Sequence, residues 1–299
     1  MKTERTKKYY KIVDMIFCID TFCDEAMAGA LRDYEVDECE ADFCITAQMT
    51  DDEILEPECK KLTERNYDNW YSPCNSVYEY RLYEPAIDRF IIGTHIDMKN
   101  CTAHIDVADI TALCGIEFAF FLYNAVQDVF RVVMLFHDAF AFHASCVVYK
   151  GEAVAFSALS GTGKSTHTAL WLKNYPDDTT ILNDDRPVFR FIDGKWYAYG
   201  TPWAGTTGIN ANMRVPLKAV VFLERAAENS IRTCSVLEII NRFFEAVDSP
   251  VSDEMSTMML NSLDKLVRNN KICVLRCNMD DSAAETVREY IFSSSASRL

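Results

Sequence analysis

The 299-residue sequence predicts a two-part α/β protein, with a smaller β-rich domain over residues 1–109 and an α/β domain over 110–299. Three observations carry this expectation. Short alternating or β-branched runs crowd the first hundred residues. A strand, a Gly-rich loop, a helix and a second strand follow one another between 153 and 183. Helical apolar spacing then recurs in the C-terminal third. With 49 % apolar and 25 % charged residues, the composition is that of a folded chain.

In chain order, Tyr10–Ile19, Phe43–Met49, Val77–Tyr83, Arg89–Ile96 and Ala103–Val107 predict strands, punctuated by Pro57, Pro73 and Pro85. Eleven acidic residues and no Lys or Arg lie between Asp33 and Cys59, which predicts a solvated face or loops around one strand. The most apolar stretch, Ile110 to Phe136, is interrupted by Glu117, Asp128 and Arg131. It predicts a buried helix, or two joined end to end, because a bilayer requires about 20 uninterrupted apolar residues. A strand over Ala141–Tyr149 turns at Lys150-Gly151 and returns over Ala153–Ser157. A helix over Lys164–Asn174, a strand over Thr180–Asn183 and a hairpin at Asp193-Gly194 follow. Leu217–Leu223 and Ile272–Leu275 predict strands; Cys234–Ala246, Glu254–Val267 and Ser282–Phe292 predict helices.

The net charge of −15 excludes whole classes of partner. A duplex nucleic-acid binder needs a basic footprint, and so does a surface that docks on anionic lipid. Twelve cysteines without any Cys-x-x-Cys pair predict structural, reduced, mostly buried thiols and not a zinc site. Together with a polar start, Met-Lys-Thr-Glu-Arg, this predicts a cytoplasmic protein.

One motif carries chemistry. Ala158-Leu-Ser-Gly-Thr-Gly-Lys-Ser-Thr166 fits the phosphate-loop pattern with alanine in the first glycine position. Ser160, Gly161, Thr162, Gly163, Lys164, Ser165 and Thr166 are the candidate nucleotide-binding residues. Glycines let successive N–H groups turn inward around phosphate oxygens, and the following helix adds the positive end of its dipole. Lys164 would place an ammonium between the outer phosphates, and the Ser165 hydroxyl could ligate Mg²⁺. Further on, Thr180-Ile-Leu-Asn-Asp-Asp-Arg186 sets Asp184 and Asp185 at a strand's C-terminal end, where α/β sheets bind ligands. Neighbouring strand residues diverge, so one carboxylate can hold the metal while the other accepts a proton.

These residues resemble the HPr kinase/phosphorylase family and, more distantly, phosphoenolpyruvate carboxykinase. The loop Phe156-Ser-Ala-Leu-Ser-Gly-Thr-Gly-Lys-Ser-Thr166 is similar to the carboxykinase loop. The order of histidine, hairpin, phosphate loop and Asp-Asp pair is similar to HPr kinase. Over residues 137–225 the resemblance implies a phosphate-loop core of that type, with His143 matching the family's histidine and the Asp184–Asp185 pair containing its catalytic aspartate. It also implies that Asp185 faces the metal and that the protein is a homo-oligomer. Gly200-Thr-Pro-Trp-Ala-Gly205 stands where the family carries Glu-Ile-Arg-Gly, so HPr itself is not implied as the acceptor.

The expectation is an ATP- and Mg²⁺-dependent phosphotransferase acting on a hydroxyl of a protein, a peptide or a small metabolite. His143, Lys164, Asp184 and Asp185 are its catalytic candidates, and Ser165 with Asp185 its metal ligands. The alternative is a nucleotide-sensing module that transfers nothing. Trp203 would stack on a ligand or pack beneath the loop, Arg186 and Arg214 are the nearest mobile cations that could neutralise charge on the transferred group, and His167 is expected on the helix surface or in packing.

Overall fold

The structure is a computed structural model that describes residues 5–21, 29–65, 68–74, 76–109, 118–159, 161–248 and 250–293. Among them are two nine-stranded sheets and five α-helices, a mixed α/β architecture. The chain divides into two compact units, Met1–Val133 with Val251–Asp253, and Met134–Pro250 with Glu254–Leu299.

The first unit holds β1 (Thr6–Ile12), β2 (Met15–Thr21), β3 (Glu35–Val36), β4 (Phe43–Thr50), β5 (Lys60–Arg65), β6 (Asp68–Cys74), β7 (Val77–Glu84), β8 (Arg89–Asp97) and β9 (Thr102–Ala108). Their order across the sheet is β3-β1-β2-β4-β9-β8-β7-β6-β5. All neighbours are antiparallel except β2 with β4 and β4 with β9. The run Tyr10–Ile19 is not one strand but two, folded back at Val13 and Asp14, both at φ 56°. Left-handed backbone at both central residues is what a two-residue hairpin requires, and here neither is glycine. Helix α1 (Phe118–Leu135) buries Leu122, Ala125, Val126, Val129, Phe130 and Val133, a stripe at helical spacing. Phe130 meets Phe17 of β2 at 5.4 Å between ring centroids, which places α1 in the first unit although the sequence reading opens the second domain at residue 110. Residues 110–117 of the apolar stretch lie outside the described residues.

The second unit runs β10 (Ala139–Ala141), β11 (Ser145–Tyr149), β12 (Glu152–Ser157), α2 (Lys164–Asn174), β13 (Thr179–Asn183), β14 (Val188–Ile192), β15 (Lys195–Tyr199), β16 (Arg214–Arg225) and β17 (Ser230–Thr233). It continues with α3 (Val236–Ala246), α4 (Asp253–Asn269), β18 (Lys271–Cys277) and α5 (Ser282–Phe292). The sheet order is β10-β14-β15-β16-β12-β11-β13, with β18 also on β16 and β17 on β18. Strand β16 pairs with β15 through Arg214–Pro216 and with β18 from Ala219 onward. Pro216 lacks an N–H and stands where the partner changes, so little pairing is lost there.

Both faces of this sheet are buried, which explains its unbroken apolar runs. Along β11, Cys146 and Val148 enter one core while Val147 and Tyr149 enter the other. The same alternation puts Val220 and Phe222 of β16 on the first side and Val221 and Leu223 on the second. Helices α3 and α4 cover the first face through Phe243 and Leu263, and α2 and α5 the second through Trp171 and Val287.

Of the ten described cysteines only Cys18, Cys146 and Cys273 are buried, while Cys39, Cys74 and Cys101 are exposed. The expectation of mostly buried thiols is therefore corrected: Cys39 lies in a loop, Cys101 in a turn and Cys74 at the end of β6, positions that leave their side chains exposed. All ten are free thiols. Among the described residues no helix is long and apolar enough to cross a membrane.

Candidate active site

The loop after β12 leads into α2 through Gly161 at φ 74° and Gly163 at φ 117°. Gly163 is the residue before the first helical turn, and its backbone conformation strains any residue with a Cβ. Thr162 N–H donates to the Leu159 carbonyl at 3.1 Å, closing a turn within the loop. From outside, the Arg225 guanidinium at the end of β16 donates to the carbonyls of Gly161 and Thr162, the latter at 3.4 Å. Two successive loop carbonyls are thereby held by one guanidinium. Lys164 is half-buried and its ammonium donates to the Ala158 carbonyl at 3.2 Å. Burial pushes its pKa below the ordinary lysine value, and Asp185 and Asp184 pull it partly back.

The two aspartates follow β13 and diverge in their partners. Asp184 is buried and receives hydrogen bonds from Ser165 Oγ at 3.1 Å and from Ser145 Oγ. Asp185 lies with one oxygen 3.4 Å from His143 Nε2 and the other 3.9 Å from the Arg186 guanidinium. The hydrogen bond to His143 holds the Asp185 pKa below the ordinary carboxylate range, helped by Arg186 and opposed by burial. Gly205, at φ 62°, presses on it: a Cβ there would stand 3.0 Å from Asp185 Cβ. Asn183 fixes the turn that carries both, accepting from the N–H groups of Asp185 at 2.9 Å and Arg186 at 2.7 Å. Its amide nitrogen donates to Thr201 and Trp203 carbonyls at 3.0 and 3.4 Å, stitching the turn to the Gly200–Gly205 segment.

A cleft of about 460 Å³ gathers His143, Lys164, Ser165, Asp184 and Asp185, with Gly161, Gly163 and Thr166 on its rim. Of the sequence candidates, Thr162 borders two neighbouring clefts instead, and Ser160 lies outside the described residues. His143 is not on a strand: the run 141–149 breaks at Phe142–Ala144, between β10 and β11. The break has a cause. The His143 N–H donates to the Ala246 carbonyl at 2.7 Å and the Ala144 N–H to the Asp185 carbonyl at 3.0 Å, so these groups leave the ladder.

The remaining candidates disperse. Trp203 is buried and packs. Arg186 is shared between Asp185 and Asp248, the latter at 3.3 Å. Arg214 lies over the Tyr197 ring at 5.0 Å, at the opposite end of β16 from Arg225. His167 is buried against Phe156, and burial lowers its pKa to about 4. Ser145, Asn183, Gly205 and Arg225 escaped the sequence reading; only the first two carried a signal, standing two residues after His143 and one before Asp184.

No protein-family model matches the chain, and no curated protein does. Among solved structures it is similar to the HPr(Ser) kinase/phosphatase from Coxiella burnetii, with 11 % identity and a TM-score of 0.29. That match covers 50 % of this chain and 95 % of the other. So weak a likeness carries nothing about activity; the chemistry is read from the side chains in the cleft.

Proposed function

We propose that the second unit is a phosphate-loop core of the HPr kinase type, that the first sheet is its accessory domain, and that the protein transfers the γ-phosphoryl group of ATP to a hydroxyl. The acceptor would be a protein, a peptide or a small metabolite. One observation supports this most: Lys164, Ser165, both aspartates and His143 converge on one cleft beside a loop whose Gly161 and Thr162 carbonyls are held by Arg225.

In this reading the inward loop amides bind the β- and γ-phosphates, and Lys164 exchanges its bond to the Ala158 carbonyl for one to a phosphate oxygen. The Ser165 hydroxyl and the Asp184 carboxylate offer hard oxygen donors 3.1 Å apart, a set that fits Mg²⁺. When bound, the ion would neutralise charge on the phosphate oxygens. The hydrogen bonds thus favour Asp184 for the metal side, against the resemblance, which pointed to Asp185. Asp185 then takes the proton of the acceptor hydroxyl as its oxygen bonds to phosphorus and the bond to the leaving ADP oxygen breaks. A carboxylate held low by His143 is a weak base, which suits a loose transition state in which the hydroxyl proton becomes acidic late. His143 positions Asp185.

The test is incubation of the protein with Mg²⁺ and γ-labelled ATP in host extract. An acceptor should be labelled by the parent and not by Lys164→Ala. Asp185→Asn should keep nucleotide affinity and lose about 10²–10⁴ in rate, the usual cost of a lost base. Asp184→Asn should lose Mg²⁺-dependent affinity as well. No labelling, together with ATP turnover unchanged in Lys164→Ala, would sink the proposal.

A further inference from the structure

Ser145, at the start of β11, is fully buried between Ala144 and Cys146, which are buried too. A hydroxyl in such surroundings costs stability unless it is hydrogen-bonded. It meets two partners: Asp184 Oδ1, and Thr168 Oγ1 at 3.1 Å. Thr168, buried in α2, also donates to the Ser165 carbonyl at 3.0 Å, and Ser165 Oγ donates to Asp184 Oδ2 at 3.1 Å. Four side chains thus close a ring that joins β11, α2 and the end of β13. A carboxylate only accepts, so it takes the single hydrogen of Ser145, and Thr168 shares its own between Ser145 and the carbonyl.

The two oxygens of Asp184 therefore face different surroundings. Oδ2 meets Ser165, which is exposed and borders the cleft; Oδ1 meets a hydroxyl with no access to water. A cation entering by the cleft reaches Ser165 Oγ and Oδ2 first. To engage Oδ1 as well it must take the acceptor from Ser145, and a buried donor left unpaired is costly. Ser145 cannot swing away to water, because β11 is paired with β12 on one side and β13 on the other. One-oxygen coordination suits Mg²⁺, which is small and demands near-octahedral geometry. Ca²⁺ takes more ligands and readily accepts both oxygens of one carboxylate.

We infer that Ser145 is a positioning residue that holds Asp184 to coordination through Oδ2 alone, and thereby makes the site select Mg²⁺ over Ca²⁺. The inference rests on the metal reading above and deepens it: Ser165 and Asp184 hold the ion, and Ser145 decides which ion.

The test is calorimetric binding of a non-transferable ATP analogue, AMP-PNP, to the full chain with Mg²⁺ and with Ca²⁺. The parent should hold the Mg²⁺ complex more tightly than the Ca²⁺ complex. Ser145→Ala frees Oδ1 and should narrow that ratio about tenfold, roughly the worth of one net hydrogen bond. A merely structural loss would weaken both complexes alike, and Ser145→Thr, which keeps the hydroxyl, should restore the parent's ratio. If Ser145→Ala does not fold, infrared difference spectra of the unaltered protein decide. The gap between antisymmetric and symmetric carboxylate stretches is wider for one-oxygen than for two-oxygen coordination. The band pair that the cation shifts, and that Asp184→Asn lacks, should show the wide gap with either cation; a narrow gap with either would overturn the inference. An unchanged ratio in Ser145→Ala would overturn it too, and leave the metal site standing. Analogue binding that neither cation strengthens in the parent would overturn the metal reading and this inference together.

Discussion

Asn183 performs no chemistry, yet the proposed site depends on it. Fully buried, it holds the N–H groups of Asp185 and Arg186 on one side of its amide and the carbonyls of Thr201 and Trp203 on the other. Removing the amide leaves several buried backbone groups without partners, each worth about 1–3 kcal/mol. Asn183→Ala should therefore lower unfolding free energy by about 3 kcal/mol in urea titration, and phosphotransfer should fall with it because both carboxylates lose their support. A loss under about 1 kcal/mol would mean that water replaces the amide. At this scale the sequence is uneven in what it discloses. Lys164, Ser165 and the aspartates announce themselves because loop and strand end are read along the chain. Ser145 touches Asp184 across 39 residues and Arg225 touches Gly161 across 64, and no local pattern encodes such a pairing.

Helix α3 shows how an element is fixed at its start. The Ser235 hydroxyl accepts from the Glu238 N–H at 3.2 Å, satisfying one of the helix's free donors. The Glu238 carboxylate turns outward to Arg232 at 2.7 Å and Arg242 at 3.0 Å, and both arginines also reach Glu224 at the end of β16. Those hydrogen bonds, Arg232 first, bring the Glu238 pKa from an ordinary 4.5 to about 2. A folded-state pKa below the unfolded one stabilises the fold above the unfolded value and loses that contribution as pH falls. Thermal unfolding of the parent and of Glu238→Gln should thus differ most above about pH 5 and converge as pH approaches 2; a constant gap would refute the network's role. Helices α2 and α5 are legible to the residue, α2 because it follows directly on the Gly-rich loop and α5 because its apolar residues recur at helical spacing. Strands β5 and β6 are not, because Lys60–Arg65 and Asp68–Cys74 are largely polar and Pro73 reads as an interruption. The Val13-Asp14 hairpin is hidden for a related reason: tertiary pairing of β1 with β2 imposes left-handed backbone on residues that do not advertise it.

At the scale of the molecule, composition and periodicity disclose a β-rich part followed by an α/β part, but not strand order, which long-range pairing decides. That order separates the second unit into regions of very different reach along the chain. Strands β11, β12 and β13 form one ribbon, with Val147 opposite Val154 across a tight turn and Val148 opposite Thr180. Strand β16 reaches β12 by matching Ala219 to Val154, and β18 by matching Val221 to Cys273. Contacts that close short loops form sooner than those that close long ones. During refolding, the ribbon that carries the loop and both aspartates should consolidate before β16 and β18 arrive. In pulsed hydrogen exchange the amides of Val147 and Val154 should gain protection ahead of those of Val221 and Val274, and simultaneous protection would contradict this order. A chain emerging from the ribosome would then possess the strand ends that carry Lys164 and both aspartates while the strands on the far side of β12 were still being made.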